Sequence, residues 1–483
     1  MDSVSQIISH RRNRFILWPQ WLAAFELFLM SSVIGLQGGW TSPFLSKLDA
    51  TTNPNSELPI TKSEASWIAS LISFAQTFGS ILGVILVYKI GSKQSALITG
   101  IPMALSWTCF LIIKSVPLIY VSRILSGLSF GIYQCAYVLY IGEISHPKIR
   151  GALVALSVNG CFIGYFCGNL MGKYLDMWLF ATVSLVPTLL FLGSFSIMPH
   201  TPSFLVLNSK MDEAIKSIRF YNRNADVTNE LDALSHFMRA NRTSTLVSKL
   251  RAINSPTNRK ILFKINVVVA LTKFSGIYTV PAYMEIILRN VKIQTINPID
   301  LVIIVSFISS CFGLFATYTS DEFGRSNMLL FSSISIAFST FLLGLNYQLL
   351  DLSKDNKNLQ WLSIIAVVIF QLFSAIGIQP TVATILSEVF APNVKIVGVS
   401  FVNAVNGLCA FASVKSYQPM VENFTEKYVF WIYSLLFIVI AVYIRLFIPE
   451  TKGKSLIEIQ EMLLDKKKNE LIDESVIRKS VTV

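Results

Sequence analysis

Charge is scarce in this chain: 14% of its 483 residues are Asp, Glu, Lys or Arg, against 53% hydrophobic. A soluble domain averages about 25% charged residues, so an ordinary water-soluble fold is excluded. Cysteine is scarce too. The six present (Cys109, Cys135, Cys161, Cys167, Cys311, Cys409) all fall in apolar stretches, which excludes a disulfide framework and leaves them as small packing residues. The apolar stretches contain no nucleophile–base pairing and no cluster of metal ligands, so neither an enzyme nor a bound cofactor or metal is expected. Acids are outnumbered 28 to 40, giving a net charge of +12. The excess does not gather on one domain, as a nucleic-acid footprint would, so no nucleic acid is expected as a partner.

What is abundant is the long apolar run. Stretches near or above the ~20 residues that cross a bilayer recur near 15–38, 65–88, 95–114, 117–142, 151–175, 178–198, 261–289, 300–320, 327–348, 360–387, 396–417 and 428–448. That makes twelve spans in two sets of six. The expected fold class is an all-α membrane protein, with twelve transmembrane helices in two pseudo-repeated six-helix bundles. Most Lys and Arg fall in the segments on the amino-terminal side of these spans, which predicts that both termini are cytosolic. Arg11, Arg12 and Arg14 flank the first run as in a signal peptide. Eleven spans follow without an evident small-residue cleavage site, so the run is read as an uncleaved first helix.

The expected organisation is therefore a cytosolic amino-terminus (1–14), a first bundle (15–198), a cytosolic helical linker (199–260), a second bundle (261–448) and a cytosolic tail (449–483). The linker carries amphipathic stretches at Asp212–Tyr221 and Asn229–Arg239. Internal repetition supports the halved layout. Glu143 is followed seven residues later by Arg150, and Glu388 seven later by Lys395, each pair at the same end of the fourth span of its half. The loop around Gly83 and Gly91-Ser92-Lys93 likewise answers the loop around Gly313 and Asp321–Arg325. Paired repeats of this kind suit transporters. In span 5, Gly160, Gly164, Gly168 and Gly172 form one bare face, which predicts close helix packing.

Charged residues inside spans are costly and mark function by default. Here they are Glu26, Arg123, Glu143, Lys273, Glu285, Arg289, Glu388, Lys415 and Arg445. Arg289, Lys415 and Arg445 lie near span ends, where a long side chain reaches the interface. Asn423-Phe424-Thr425 is a glycosylation sequon in a loop expected outside, whereas Asn241-Arg242-Thr243 has the same pattern in a segment expected in the cytosol.

Past the last span, Pro449-Glu450-Thr451-Lys452-Gly453-Lys454-Ser455 can end one helix and, through Ser455 and Glu458, cap another. In this position the heptad resembles the motif closing the last helix of sugar porters in the major facilitator superfamily. Ser455–Gln460 resembles the insect branch, the facilitated trehalose transporters. Arg123, Gly127 and Gly131 resemble the span 4 motif, and Glu143 with Arg150-Gly151 its cytosolic end. Asp321, Gly324 and Arg325 resemble the loop motif, and Gly377, Pro380 and Glu388 span 10.

The resemblance implies the major facilitator fold and facilitative transport of a sugar, trehalose or a hexose, by alternating access across the plasma membrane. A monomer is expected in the lipid bilayer, with the sugar as its small-molecule partner. A transporter-like receptor, or a divergent carrier of a non-sugar or anionic solute, is the alternative. The resemblance also implies that Arg123, Glu143, Arg150, Asp321, Arg325, Glu388 and Lys395 form ion pairs holding the inner gate shut, and that span 5 abuts span 8 with its smooth face.

Departures from the family pattern are many. Tyr88 and Ser92 stand where an acid and an Arg belong, and Pro199–Phe204 departs from its charged motif with His200 in place of an acid. Thr272 and Lys273 replace a pair of glutamines, Tyr278 and Ser309 replace asparagines, Val158 a glutamine and Ala383 a tryptophan. Asn406 is retained, with Asn403 one turn before it. Asn406, Asn403, Thr272, Lys273, Tyr278, Ser309 and Gln379 are the candidate substrate contacts that the resemblance implies, and amides and hydroxyls suit sugar hydroxyls. The acid of proton-coupled relatives aligns with Leu36, which favours uncoupled transport. Lys273 is deep enough to need a partner; an ion pair with Glu26 is one expectation, a free cation selecting an acidic substrate the other.

Overall fold

The computed structural model describes residues 17–48, 58–112, 115–146, 149–223, 226–229, 231–232, 234, 246–291, 293, 295–352, 359–390, 394–452, 458 and 462. Among these residues every extended element is a helix. Ten helical stretches are long and apolar enough to cross a membrane. Two of them, Lys62–Leu111 with 50 residues and Lys395–Phe447 with 53, would each run about 75–80 Å if straight. That is more than twice a ~30 Å hydrocarbon core. Neither is straight. Gly91 at φ 84° breaks the first and Thr425 at φ 63° the second, so the ten stretches carry twelve spans.

Span 1 is Trp18–Gly39 continued by Thr41–Leu48. Spans 2 and 3 share Lys62–Ile98 and Gly100–Leu111. Spans 4, 5 and 6 are Val116–Ile144, Arg150–Tyr174 and Met177–Ile197. Short helices Pro202–Leu207, Met211–Tyr221 and Leu246–Ile253 lie between the halves. Span 7 is Pro256–Phe274 with Thr279–Asn290, span 8 Pro298–Phe323 and span 9 Arg325–Leu352. Span 10 runs through Gln360–Phe373, Ser374–Ile378 and Gln379–Val389, and spans 11 and 12 share Lys395–Phe447.

Local chemistry sets several of these ends. Spans 1, 4, 7 and 8 open with proline in the first turn, where its missing N–H costs nothing. Span 2 opens with a capping box in which the Thr61 hydroxyl accepts the Glu64 N–H and the Glu64 carboxylate accepts the Thr61 N–H. The helix of span 7 starts at Pro256, five residues before the apolar run, because its first turn is polar and invisible to hydropathy.

Burial is inverted relative to a soluble protein. Span 6 exposes Leu179, Val183, Val186 and Leu190 along one face and buries Ser184 and Thr188 on the other. So large an apolar surface suits lipid, not water. Some buried hydroxyls are satisfied by donating to a carbonyl one turn back, as Thr188 does to Ser184 and Ser70 to Ser66.

The internal repeat is visible in the backbone. Gly91 has φ 84° and ψ 166°, and Gly324 φ 87° and ψ 151°, a region open essentially to glycine alone. A Cβ at Gly91 would stand 2.6 Å from the Phe204 ring, and one at Gly324 2.5 Å from the Glu450 carboxylate. The glycine face of span 5, however, does not meet span 8. Its Cβ positions fall against span 1: Gly160 at 2.3 Å from the Phe28 carbonyl oxygen, Gly164 at 1.9 Å from that of Ser32, and Gly172 at 2.5 Å from the Pro43 ring. The bare face thus fuses two helices of one half, and larger residues are left to meet the other half.

Candidate functional site

Both Trp18 and Phe447 lie at one end of the bundle, here the proximal end. Hydrogen bonds between the halves gather at the opposite, distal end and midway. At the distal end Lys173 of span 5 pairs with Asp300 of span 8, and the Glu285 N–H donates to Ser42 Oγ at 3.0 Å. Ser66 donates to the Lys415 carbonyl at 3.3 Å, and the Tyr165 hydroxyl to that of Pro281 at 3.1 Å. Midway, Thr77 donates to the Ala404 carbonyl at 3.3 Å and Ser310 to that of Phe162 at 2.8 Å. Among the described residues, the cross-half bond nearest the proximal end joins Cys135 and Ser400 at 3.1 Å. The distal end is closed.

At mid-depth two helices of the second half are interrupted. Span 7 breaks over Ser275–Tyr278, where Gly276 takes φ 87° with its Cβ position 2.6 Å from the Tyr433 ring. Span 10 widens into a π-turn over Ser374–Ile378 just before Gln379 and Pro380, since Pro380 cannot donate to the ladder. Interrupted helices at mid-depth are where transporters bind their cargo.

The candidate substrate contacts divide into those with free polar atoms and those already committed. The Thr272 hydroxyl donates to Val268 at 2.6 Å and that of Ser309 to Val305 at 2.9 Å, each within its own helix. Gln379 donates to Ser374 Oγ at 3.2 Å. Asn403 is buried beside Asn406, whose Oδ1 has no partner. Lys273 is 9% exposed, and its ammonium sits 3.9 Å from the centre of the Tyr278 ring. Glu26 accepts instead from Ser194 of its own half at 2.7 Å, so the expected Lys273–Glu26 pair is not formed. Glu26 faces span 6, while Lys273 is drawn to the ring across the break in its own span.

Arg123 is fully buried in the first half. Its guanidinium donates to the Gln37 carbonyl and to Thr41 Oγ1, each at 2.7 Å, and to Gln37 Oε1 at 3.3 Å. The Trp40 ring covers it at 4.0 Å. Gln37 is held in turn by donating to Ser106 at 3.0 Å. The neighbour that meets Arg123 is therefore Gln37, one residue beyond the aligned Leu36, and it is neutral. The Arg123 Nε has no partner, and among the described residues no carboxylate accepts from this buried cation, so none stands beside it to take up a proton.

At the proximal end, Glu143 and Arg150 do not pair. Glu143 accepts from the Ser92 hydroxyl at 2.6 Å, and Arg150 donates to Ser145 Oγ at 3.1 Å. Ser92 thus takes up Glu143 where the family pattern has an Arg. In the second half the Glu450 carboxylate accepts the N–H groups of Arg325 at 2.8 Å, Ser326 at 3.1 Å and Lys452 at 2.9 Å. It caps the first turn of span 9, where the helix dipole favours an anion. His200 occupies the matching place after span 6, stacked on Phe204. Lys395 is half-buried at the start of span 11. The side chains of Asp321 and Glu388 lie outside the described residues, as do Gly453–Ile457. Asn423 is exposed at the distal end, donating to the Pro419 carbonyl at 2.8 Å.

A family model described as sugar (and other) transporter matches residues 20–463. The chain belongs to the sugar (and other) transporter family. It is 28% identical over 460 residues to the facilitated trehalose transporter Tret1 of Bombyx mori, covering 93% of this chain and 88% of that one. It is 27% identical over 454 residues to Tret1 of Anopheles gambiae, of which it spans 57%. Among solved structures it resembles the proton:xylose symporter XylE bound to 6-bromo-6-deoxy-D-glucose, with TM-score 0.73, 20% identity, and 92% and 100% of the two chains covered. It also resembles the inward open conformation of XylE from E. coli, with TM-score 0.71. The twelve-helix major facilitator fold is thereby established, and the family consists of transporters rather than enzymes.

Several residues that matter in this fold were missed in the sequence. Gln37 and Thr41 hold Arg123, and only their polarity within span 1 marked them. Asn159 is buried in span 5 with both amide atoms unpartnered, its Oδ1 2.8 Å from the Cβ position of Gly313 in span 8. It lies one residue past Val158, where the family glutamine was sought.

Proposed function

We propose that this chain is a uniporter-type carrier that moves a small polyhydroxylated solute, sugar-like in its hydroxyl chemistry, across the plasma membrane by alternating access. The two bundles, 15–198 and 261–448, rock about the cleft between them, with both termini in the cytosol and the carrier acting as a monomer. The distal end is then extracellular, and the conformation is the one closed to the outside. The observation that carries this reading is a pair of six-helix halves joined distally around two interrupted helices, with the Asn406 amide oxygen unpaired at mid-depth. The neutral acceptors around Arg123 support transport without proton coupling. Asn406, Asn403 and Asn159 are the proposed hydroxyl contacts, with Gln379 at the π-turn. Ser92–Glu143 and Glu450 at the start of span 9 hold the proximal gate, in which Asp321, Arg325, Glu388 and Lys395 join. Asn423 carries a glycan.

The test is uptake and counterflow of labelled trehalose and glucose in cells lacking their own carriers, at two pH values. Saturable counterflow insensitive to a pH gradient supports the reading. Absence of counterflow by a surface-expressed, monodisperse protein, across neutral sugars and sugar acids alike, would sink it.

A further inference from the structure

We propose that the solute this carrier moves bears a carboxylate as well as hydroxyls, and that Lys273 receives it. The inference rests on the carrier reading above and deepens it. Lys273 lies in the last turn of the first half-helix of span 7, beside the interruption, and it is nine-tenths buried. Among the described residues no acid lies within ion-pair distance of it and no acceptor takes a hydrogen bond from it; its one close companion is the Tyr278 ring at 3.9 Å. The buried acids are committed elsewhere, Glu26 to Ser194 and Glu285 to Arg289 at 2.8 Å. A cation–π contact and the last turn of a helix each offset part of the cost of burying an ion, but less than a paired anion does. The ammonium is left without a counter-charge.

The rest of the site limits which anion fits. A monoanion makes a neutral buried pair with one ammonium, while a phosphate dianion would leave a buried charge uncompensated. The Thr272, Ser275 and Ser309 hydroxyls offer phosphate oxygens nothing further, because they are spent on carbonyls of their own helices. The unpartnered Oδ1 of Asn406 is an acceptor and calls for a hydroxyl donor. Cys409, one turn beyond Asn406 on span 11, lies within electrostatic reach of Lys273, which places the ammonium toward the face carrying the amide. One carboxylate on Lys273 and a hydroxyl on Asn406 describe a sugar acid.

The experiment uses the purified full-length chain in liposomes, with the membrane potential set by valinomycin and potassium, and labelled glucuronate and glucose as probes. Saturable glucuronate uptake is expected, accumulating about fiftyfold at 100 mV, inside positive. Lys273→Gln should abolish this uptake and Lys273→Arg retain it. Saturable glucose uptake that ignores both the potential and a hundredfold excess of glucuronate would overturn the carboxylate and leave the carrier reading standing. Should Lys273→Gln not fold, that competition on the native chain decides alone. Voltage-driven glucuronate uptake undiminished in Lys273→Gln would overturn the role of Lys273. Absence of saturable uptake for either probe and for trehalose would overturn both readings together.

Discussion

Gly164→Ala should loosen the first half of this carrier more than any comparable methyl addition on its lipid face. The Cβ position of Gly164 stands 1.9 Å from the Ser32 carbonyl oxygen, where ordinary contact begins at 3.4 Å. Spans 1 and 5 must therefore separate by about 1.5 Å along a seam that also includes Gly160 and Gly172. Overpacking of this kind costs ~1–3 kcal/mol, offset by at most ~1 kcal/mol from the better helix propensity of alanine. Span 1 also carries Gln37 and Thr41, both bonded to Arg123 at 2.7 Å, so the same displacement strains a fully buried cation. Gly193→Ala is the matched control, since nothing lies within 4 Å of its Cβ position on span 6; it should be neutral or stabilising by up to ~1 kcal/mol. The assay is the melting midpoint of each purified variant in one detergent, followed by size-exclusion fluorescence. If Gly164→Ala melts at or above Gly193→Ala, the span 1–span 5 seam is refuted. Intact melting with altered turnover would instead place the glycine face at the boundary between the halves.

Other consequences follow from the two ends of the bundle. Lys173→Asp should weaken distal closure, raising reactivity of a cysteine placed in the distal cleft up to about fivefold, and Lys173→Asp with Asp300→Lys should restore the closed end. Glu450→Ala removes two charge-assisted bonds at the start of span 9 and a third to the Lys452 N–H, and should cost about 1.5–3 kcal/mol of stability, read by melting, with Glu450→Gln intermediate. Burial, with the Lys93 ammonium nearby, holds the His200 imidazole below its ordinary value. The unfolded chain therefore binds that proton more readily; stability is flat above about pH 6.5 and falls as the pH drops below it, and a melting-versus-pH series on His200→Gln should lose that slope. Asn406→Ala should raise the KM for the transported solute ten- to a hundredfold, the ~1–3 kcal/mol of a lost buried hydrogen bond, read by counterflow at low concentration.

Much of the fold was legible because a bilayer permits few solutions. Long uncharged runs had to be helices, and their number and halved order followed from where the polar segments fall. Gly91 and Gly324 could be matched from their loops alone, and the structure gives them the same backbone conformation. Asn406 was singled out by the resemblance alone, and the structure adds that its Oδ1 has no partner. The neutral partner of Arg123 was missed by one residue, because an alignment counts positions and cannot see which face of span 1 turns toward span 4. The Glu143–Arg150 pair failed for the same reason: seven residues apart across a helix end, each side chain found a nearer hydroxyl.

By itself, then, the sequence determined the membrane-spanning helices, their repeat, and the residues too polar or too charged to face lipid, all quantities set by one residue's own transfer energy. The tertiary structure decided the pairings: Gly164 against Ser32, Glu26 with Ser194, Lys273 on Tyr278, Glu450 over the first turn of span 9. Each depends on angstrom-scale approach between helices remote in the chain. Hydrogen bonds, ion pairs and bare glycine contacts are short-ranged and directional, so no local pattern records them.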